Sequence, residues 1–378
     1  MVIILAFFVV FMYQILGSVM ICNLLYYFSL LKEILLKGSV SIYKNIRVKI
    51  WLSLFLLWAT VSTVVYSIDT NELTIRNIIQ YIFTLQYFVW IVRLNIDWKK
   101  FDEYIFKFSL IMSVLIIVMY FATGQFIHIG NMFTTGRMWG TKFFPGWPNT
   151  TPVPLLFALF IGLKNSKSKV ANSILIIGLV MTTSRGALLG IVSILAYFIF
   201  KKVKNKHVKI IVFTVPILLF GIIFSREFLP VIYHYVPSLE YRMSLSYDRQ
   251  DIMKVTFGYF KLRPLLGFGG NTIDQIIVNY GNLSDYGINW GHSHNWVFET
   301  LLRYGAVGLF LFVGLLRAIF KSIKIMDNKF MFILVLVLGL FQTYLRNFGV
   351  ILLIVYIMAS DYDQKKMSLK EVKHEASN

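Results

Sequence analysis

Cysteine, acidic residues and long polar stretches are scarce in this sequence. Only 15% of the 378 residues are charged, against about 25% in an average soluble domain. No stretch is both polar and long enough for an independent soluble domain of the usual ~100–150 residues, which argues against dinucleotide-binding and P-loop enzymes. The one cysteine, Cys22, lies in an apolar run, so we expect neither a disulfide framework nor a thiolate metal site.

Apolar and aromatic side chains are abundant instead. Hydrophobic residues make up 57% of the chain, and 34 Phe with 21 Tyr bring the aromatic fraction to 17%. A globular protein of this size cannot hide so much apolar surface in one core. We therefore predict an integral membrane protein. We expect no cleavable signal peptide, because the first apolar run has no charged region before it and no cleavage-like site.

Apolar runs that can cross, or nearly cross, a bilayer occur along most of the chain. They predict an all-α polytopic membrane protein with about 11 transmembrane helices, within a range of about 10–12. The runs lie at roughly 3–28, 50–68, 77–92, 105–122, 153–163, 170–183, 186–200, 210–224, 304–320, 330–345 and 348–360.

The positive charges predict the orientation. Cytoplasmic loops of membrane proteins carry an excess of Lys and Arg, so we assign the basic connections, and with them the C-terminus, to the cytoplasm. The net charge of +19 then reflects orientation and contact with anionic lipid headgroups, and no nucleic-acid partner is expected. Most of the 37 Lys and Arg residues fall in alternate connections, at 32–49, 93–104, 164–169, 201–209, 317–329 and the tail from 361.

We expect a single membrane domain over 1–378 with two external segments. The first, 123–152, is rich in Gly, Pro and Trp, and the second, 225–303, is long enough to be functional. Within the second, 248–262 has helical spacing and is predicted to lie along the membrane surface. The charged tail 361–378 is predicted to be disordered and cytoplasmic.

Arginines at the membrane edge are candidate functional residues, because an unpaired charge there is unfavourable. Arg185 interrupts an apolar stretch; the alternative is a turn whose arginine extends to the lipid headgroups. Arg249, Lys254 and Arg263 can clamp a diphosphate, because guanidinium groups bind phosphate oxygens in pairs. The alternative is a basic surface that rests on anionic lipid. A Rossmann site is not expected, because the sequence has no GxGxxG motif.

A polar segment precedes the point where the chain re-enters the membrane: His292-Ser293-His294-Asn295. A histidine there is suited to general acid or base chemistry near neutral pH. Downstream, Glu299 and Arg303 lie four and eight residues after Asn295 and share its helix face. The alternative is a helix cap formed by the serine or the asparagine. The histidine pair lacks a third ligand at suitable spacing, so no metal is expected.

Four blocks, in this order, carry a family resemblance: Arg137 to Pro148-Asn149; Thr183-Ser184-Arg185-Gly186-Ala187; Arg249 with Pro264-Leu265-Leu266-Gly267-Phe268-Gly269; and His294-Asn295 with Glu299, Gly305 and Gly308-Leu309. Together they resemble the bacterial O-antigen polymerase and O-antigen ligase superfamily of membrane glycosyltransferases. The resemblance covers roughly 130–320, and the first 120 residues match only as generic membrane helices.

The resemblance implies a GT-C-like fold and a metal-independent, inverting glycosyl transfer at the outer face of the bacterial cytoplasmic membrane, without a cofactor. The donor would be a glycan on undecaprenyl diphosphate or a similar polyprenyl diphosphate. Arg185 and Arg249 would hold the diphosphate, and His294 would assist proton transfer from the acceptor hydroxyl. Further residues expected to contact the diphosphate or the sugars are Arg137, Asn149, Arg263, His292, Asn295 and Glu299.

Three functions remain open. The leading hypothesis is a polymerase that joins lipid-linked repeat units into a capsule, O-antigen or exopolysaccharide, with a chain-length regulator and a flippase as partners. A ligase would move finished glycan to a lipid A core or a protein; the polymerase is preferred only as the commoner activity. A flippase of lipid-linked oligosaccharides is disfavoured, because transporters have internal repeats and polar groups at mid-membrane, and this sequence shows neither.

Overall fold

The structure is a computed structural model that describes residues 45–69, 98–122, 152–182, 185–205, 240–271, 273–281, 293, 295–340, 351 and 353–361, with isolated positions at 207, 208, 210 and 214. In these residues the regular structure is helical, without strands. The helices are α1 Ile46–Asp69, α2 Trp98–Ala122, α3 Pro152–Lys164, α4 Lys169–Met181, α5 Arg185–Lys202, α6 Glu240–Leu262, α7 Ile273–Tyr280, α8 Trp296–Ser322 and α9 Met326–Gly339. A further helical stretch covers 353–361.

The all-α class is confirmed for this part of the chain. Helices α1 and α8, with 24 and 27 residues, are long and apolar enough to cross a membrane, and α3 and α4 are shorter apolar helices. These features agree with an integral membrane protein. The predicted runs at 3–28 and 77–92 lie outside the described residues, so the number of spanning helices stays a prediction.

The chain divides into two compact units, with a boundary inside α6. The α2–α5 unit contains the chain from Lys99 to Asp248. In it, α3 is buried along almost its whole length and packs against α4 and α5. The helices approach closely at glycines: a Cβ added to Gly190 would overlap Leu156, and one on Gly178 would lie 2.6 Å from the Cβ of Ser113.

The α1–α8 unit contains α1 and the chain from Arg249 onward, and its two long helices pack along each other. Phe55 of α1 lies between two rings of α8, with centroid distances of 5.5 Å to Tyr304 and 5.0 Å to Phe312. Trp51 fills the space left by Gly314, where a Cβ would overlap its ring. The interface is therefore built from aromatic rings set against small residues, which brings the two backbones close together.

Helix α8 begins two turns before the apolar run predicted at 304–320. Asn295 has an extended backbone, and its Oδ1 accepts hydrogen bonds from the backbone N of Val297 at 2.8 Å and of Phe298 at 3.3 Å. This is an N-cap, in which a side chain satisfies N–H groups that have no partner within the helix. The capping interpretation is thus confirmed for Asn295, and it explains why polar residues begin an otherwise apolar helix.

Helix α8 is interrupted at Gly305, whose φ of 66° and ψ of −169° are accessible essentially only to glycine. In an unbroken helix the N–H of Ala306 would bond to the carbonyl of Leu302. Instead, Ala306 N donates to Pro264 O at 2.8 Å, and Phe268 N donates to Leu302 O at 2.9 Å. The segment after α6 therefore replaces one helical hydrogen bond with two bonds across the unit.

The C-terminal helical stretch 353–361 supports the start of α9. The buried carboxylate of Asp361 accepts from the backbone N of Lys324 at 2.9 and 3.0 Å and from that of Ile325 at 2.6 Å. A carboxylate is favoured at this place, because the first N–H groups of a helix carry partial positive charge. Ordered structure therefore reaches Asp361, the first residue of the tail predicted to be disordered.

We predict that Gly305→Ala destabilises the protein much more than Gly281→Ala. Both glycines have positive φ, 66° and 76°, but a Cβ on Gly305 would overlap the carbonyl of Leu265, whereas a Cβ on Gly281 meets nothing within 4 Å. Backbone strain and overpacking each add roughly 1–3 kcal/mol at Gly305, against about 1–2 kcal/mol of strain at Gly281. Thermal unfolding of the detergent-purified variants measures the difference, and equal midpoints would contradict the packing described here.

Candidate functional site

The predicted site residues are distributed unevenly over the described structure. Arg185 is the first residue of α5 and Arg249 lies in α6, and the side chains of both are outside the described part. Arg263, Asn295 and Glu299 are described, and all three belong to the α1–α8 unit. The remaining predicted residues lie outside the described positions: Arg137, Asn149, His292 and His294.

The described part of the site is organised around the segment 263–271, which connects α6 to α7 and is called the glycine turn below. Gly267 and Gly269 have positive φ of 70° and 61°. A Cβ on Gly267 would lie 2.5 Å from the carbonyl of Arg303, and one on Gly269 would lie 2.6 Å from the Cα of Thr63. The two glycines therefore permit both the left-handed backbone and its close contact with α8 and α1.

Ser62 of α1 joins the glycine turn to α8. Its buried hydroxyl lies 2.6 Å from Leu266 O and 3.0 Å from Arg303 O, and it accepts from Gly269 N at 3.1 Å. A serine hydroxyl has one proton, so it donates to one of the two carbonyls at a time. One turn earlier on α1, Trp58 Nε1 donates to the carbonyl of Tyr304 at 2.8 Å, which satisfies another group next to the break in α8.

A buried ion pair lies in the first turns of α8. Arg303 Nε and Glu299 Oε1 are 2.6 Å apart, and the two side chains are 5% and 6% exposed. Arg303 Nη1 also donates to Gly270 O in the glycine turn at 2.7 Å. Glu299 Oε2 accepts from the backbone N of Ser293 at 3.2 Å and lies 3.0 Å from its Oγ. The shared helix face predicted for Asn295, Glu299 and Arg303 thus brings the last two into contact.

Both polar side-chain atoms of Asn295 bond within the fold. Its Oδ1 caps α8, and its Nδ2 donates to the carbonyl of Leu340 at 3.0 Å. Leu340 follows α9 directly, so Asn295 ties the beginning of α8 to the end of α9. The contacts among the described residues are those of a structural cap, and the substrate contact expected for Asn295 stays a prediction.

Arg263 holds a partly exposed position at the beginning of the glycine turn. Its Nη2 lies 2.6 Å from Asp69 Oδ2 at the end of α1, and its guanidinium carbon lies 5.4 Å and 5.9 Å from the ring centroids of Tyr66 and Phe268. Nη1 is buried and has no hydrogen-bond partner in the described structure. The described contacts of Arg263 are thus an ion pair and two aromatic rings, and its predicted diphosphate role stays a prediction.

A hydrophobic cluster packs next to these polar contacts. Tyr259 Oη donates to Gly281 O at 2.6 Å, and Asn279 Nδ2 donates to Tyr66 Oη at 3.0 Å, so the buried phenols have partners. The cluster joins α6, the glycine turn and α7 to α1 and α8. Its buried members are Tyr66, Ile252, Tyr259, Phe268, Ile273, Ile276 and Leu302.

Within the described residues no group of three or more His, Cys, Asp or Glu side chains is arranged to hold a metal ion. The polar centre of the α1–α8 unit consists instead of an arginine–carboxylate pair, a second arginine beside two aromatic rings, and backbone groups released by a break in a helix. Residues 170–313 match the model of the O-antigen ligase family. The match confirms the superfamily resemblance, and three of the four sequence blocks that carry it lie within the matched residues. No curated protein matches the chain.

The matched region, 170–313, contains most of the predicted site residues. Arg185, Arg249, the glycine turn and the Glu299–Arg303 pair all fall within 170–313, whereas Arg137 and Asn149 precede it. Helix α1 also lies before the matched region, although Ser62 and Trp58 hold the break in α8. Ser62 and Trp58 are not among the residues predicted from the sequence. The available signal was the group of small polar residues in an apolar helix, Thr60, Ser62, Thr63 and Ser67.

We predict that Ser62→Ala destabilises the protein by about 1–3 kcal/mol, because it leaves buried backbone groups of Arg303 and Gly269 without their partner. Ser67→Ala is the matched control on the same helix: Ser67 is buried too, but among the described residues its hydroxyl bonds within α1, to Thr63 O at 2.9 Å. We expect less than about 1 kcal/mol for this control. Denaturation of the purified variants in detergent measures both, and a larger loss for Ser67→Ala would contradict the role given to Ser62.

Proposed function

We propose that this chain is a polymerase of a bacterial surface polysaccharide, such as a capsule, O-antigen or exopolysaccharide. It transfers a polyprenyl-diphosphate-linked glycan onto a lipid-linked repeat unit at the outer face of the cytoplasmic membrane. The observation that carries the proposal is the O-antigen ligase match over 170–313, because it includes Arg185, Arg249 and His294, the residues to which the resemblance gives chemical roles.

The proposed reaction is an inverting substitution at the anomeric carbon of the donor. The acceptor hydroxyl forms the new C–O bond, the bond to the diphosphate breaks, and the polyprenyl diphosphate leaves with the electron pair. His294 takes the proton of the acceptor hydroxyl, and Arg185 and Arg249 stabilise the charge that develops on the diphosphate. Preorganised cations are most effective where water is scarce, and a general base adds ~10²–10⁴-fold in rate. No metal takes part in this scheme.

The apolar helices and the charge pattern support the proposed setting. Helices α1 and α8 have the length and composition of membrane spans, and the basic connections favour a cytoplasmic C-terminus. A lipid-linked donor, such as an undecaprenyl-diphosphate oligosaccharide, would reach an external site by diffusion in the membrane. A flippase would deliver this donor, and a chain-length regulator would set the length of the product.

A second candidate is a ligase, which the name of the matched family, O-antigen ligase, favours. Its donor chemistry would be the same: a glycan leaves a polyprenyl diphosphate and the same arginines and histidine act on it. Only the acceptor differs, since a ligase transfers finished glycan to a lipid A core or a protein. The two activities therefore make different products, and these can be separated on a gel.

We predict that Arg249→Ala and His294→Ala abolish long chains of the surface glycan. Loss of the cation or of the base slows transfer by at least ~10²-fold, so only single repeat units should accumulate. The measurement is a gel ladder of surface glycan from cells that express each variant at matched levels.

Arg317→Ala and His207→Ala are the matched controls, because both residues are exposed and lie in connections predicted to be cytoplasmic. The controls should keep the wild-type ladder. Long chains that stay on the lipid carrier and fail to reach their final acceptor would identify a ligase. Unchanged ladders in Arg249→Ala and His294→Ala would contradict the enzyme and favour the flippase.

A further inference from the structure

The carboxylate of Glu299 is buried, and both of its oxygens are engaged. Oε1 bonds to Arg303 Nε at 2.6 Å, and Oε2 lies 3.2 Å from the backbone N and 3.0 Å from the Oγ of Ser293. A carboxylate offers about four acceptor positions; the N–H donors of Arg303 and Ser293 use two of them, and a third faces the Ser293 hydroxyl, whose single proton is shared with Asn295 O. Glu299 therefore has little capacity for a sugar hydroxyl, and its contacts point to a role in holding the chain around Ser293.

Ser293 stands between the two histidines of the His292-Ser293-His294 segment. It is fully buried, and its N–H and hydroxyl both face the same carboxylate oxygen. Consecutive Cα atoms are 3.8 Å apart across a trans peptide, so a fixed Ser293 restricts where both neighbouring residues can be. Its Oγ also lies 2.9 Å from Asn295 O, which orients the chain as it enters α8.

Arg303, the cationic partner in the ion pair, bonds to the glycine turn. Arg303 Nη1 bonds to Gly270 O at 2.7 Å, and the main-chain carbonyl of Arg303 bonds to Ser62. A buried ion pair seldom stabilises a fold more than apolar side chains of the same size would. The pair instead fixes relative position, because its charge-assisted hydrogen bonds connect Ser293 to the glycine turn.

We propose that Glu299 and Arg303 are positioning residues for the histidine that accepts the proton. Their ion pair connects Ser293, which follows His292 and precedes His294 in the sequence, to the glycine turn after α6, and the positioning acts through this connection. This inference rests on the proposed glycosyl transfer. It gives Glu299 a role in place of the direct substrate contact that the resemblance implies.

The test removes the pair without leaving a buried charge. In Glu299→Met/Arg303→Met both partners become apolar at similar volume, so we expect the variant to fold. We expect its kcat to fall by ~10²-fold with little change in KM, because misplacing a catalytic group by about 1 Å has an effect of this size. Ser293→Ala keeps the N–H contact with Glu299 and should give a smaller loss, of roughly 10-fold.

The substrate is the lipid-linked repeat unit that accumulates in cells deleted for this chain, and the purified full-length protein in detergent is assayed for its conversion to longer chains. The matched control is Glu103→Met/Lys107→Met. This pair has the same four-residue spacing and an N–O distance of 3.0 Å, but it is exposed and lies in α2. The control should keep the wild-type kcat.

A mutant cycle with the histidines separates positioning from stability. Each variant is also measured in the His292→Ala and His294→Ala backgrounds. If the ion pair acts through one histidine, the Met/Met substitution should slow the reaction little further in the variant that already lacks that histidine. The histidine background in which the Met/Met substitution lowers kcat least identifies the histidine that takes the proton. A merely structural role would give the same fold-loss in every background.

Every result of these measurements either supports or contradicts the positioning role of Glu299 and Arg303. A folded Met/Met variant with wild-type kcat overturns it, and so does an equal fold-loss in all backgrounds. If the Met/Met variant fails to fold, Ser293→Ala decides: a loss confined to the background that retains the acting histidine supports positioning, and no loss rejects it. If the wild-type protein makes no longer chains from this substrate, the proposed polymerase fails first, and the inference is withdrawn with it.

Discussion

The break in α8 at Gly305 is the constraint on which the α1–α8 unit depends. A backbone group without a partner is unfavourable in any interior and more so inside a lipid bilayer, where water cannot replace the lost bond. The glycine turn and helix α1 supply the replacements, through Phe268 N and Pro264 O on one side and Ser62 and Trp58 on the other. The glycines of the turn and the buried serine serve this requirement.

The same few residues connect the fold to the chemistry proposed for it. Arg303 bonds through its carbonyl to α1 and through its side chain to Glu299 and to the glycine turn. Glu299 bonds in turn to Ser293, next to the histidines. A displacement of the backbone at Gly305 would therefore be transmitted to Ser293, where the chain enters α8. A displacement of Ser293 would in turn be transmitted to the glycine turn. Rigid support of this kind is what a site that moves a proton requires.

Much of the fold could be predicted from local patterns in the sequence. The apolar runs at 50–68 and 105–122 predict α1 and α2, and the four-residue spacing predicts that Glu299 and Arg303 share a face. The apolar run at 304–320 predicts a start for α8 that is eight residues later than the observed Trp296, because hydropathy does not detect a polar cap such as Asn295. Each of these features depends on residues that are neighbours in sequence, so a periodic pattern can reveal it.

The contacts that shape the candidate site depend on residues far apart in sequence. Ser62 and Arg303 are 241 positions apart, and Arg263 and Asp69 are 194 apart. Sequence spacing gives no information about such pairs. Arg263 was therefore predicted from its charge and its place beside a glycine-rich turn, while Asp69, its ion-pair partner, was missed. The break at Gly305 was missed for a related reason: glycine occurs in many helices, and only the backbone angles show what it does here.

The bond between Ser62 and Arg303 also has a consequence for biosynthesis. A ribosome makes α1 long before α8, so α1 must wait in the membrane for a partner that is 241 residues away. When α8 arrives, Ser62 and Trp58 of α1 satisfy the carbonyls of Arg303 and Tyr304 next to its break, while the glycine turn supplies the partners of Ala306 N and Leu302 O. Helix α1 must therefore be in place before these two carbonyls of the later helix can find their partners. A generic apolar span of the same length would anchor the chain and still leave α8 without the contacts that complete its fold.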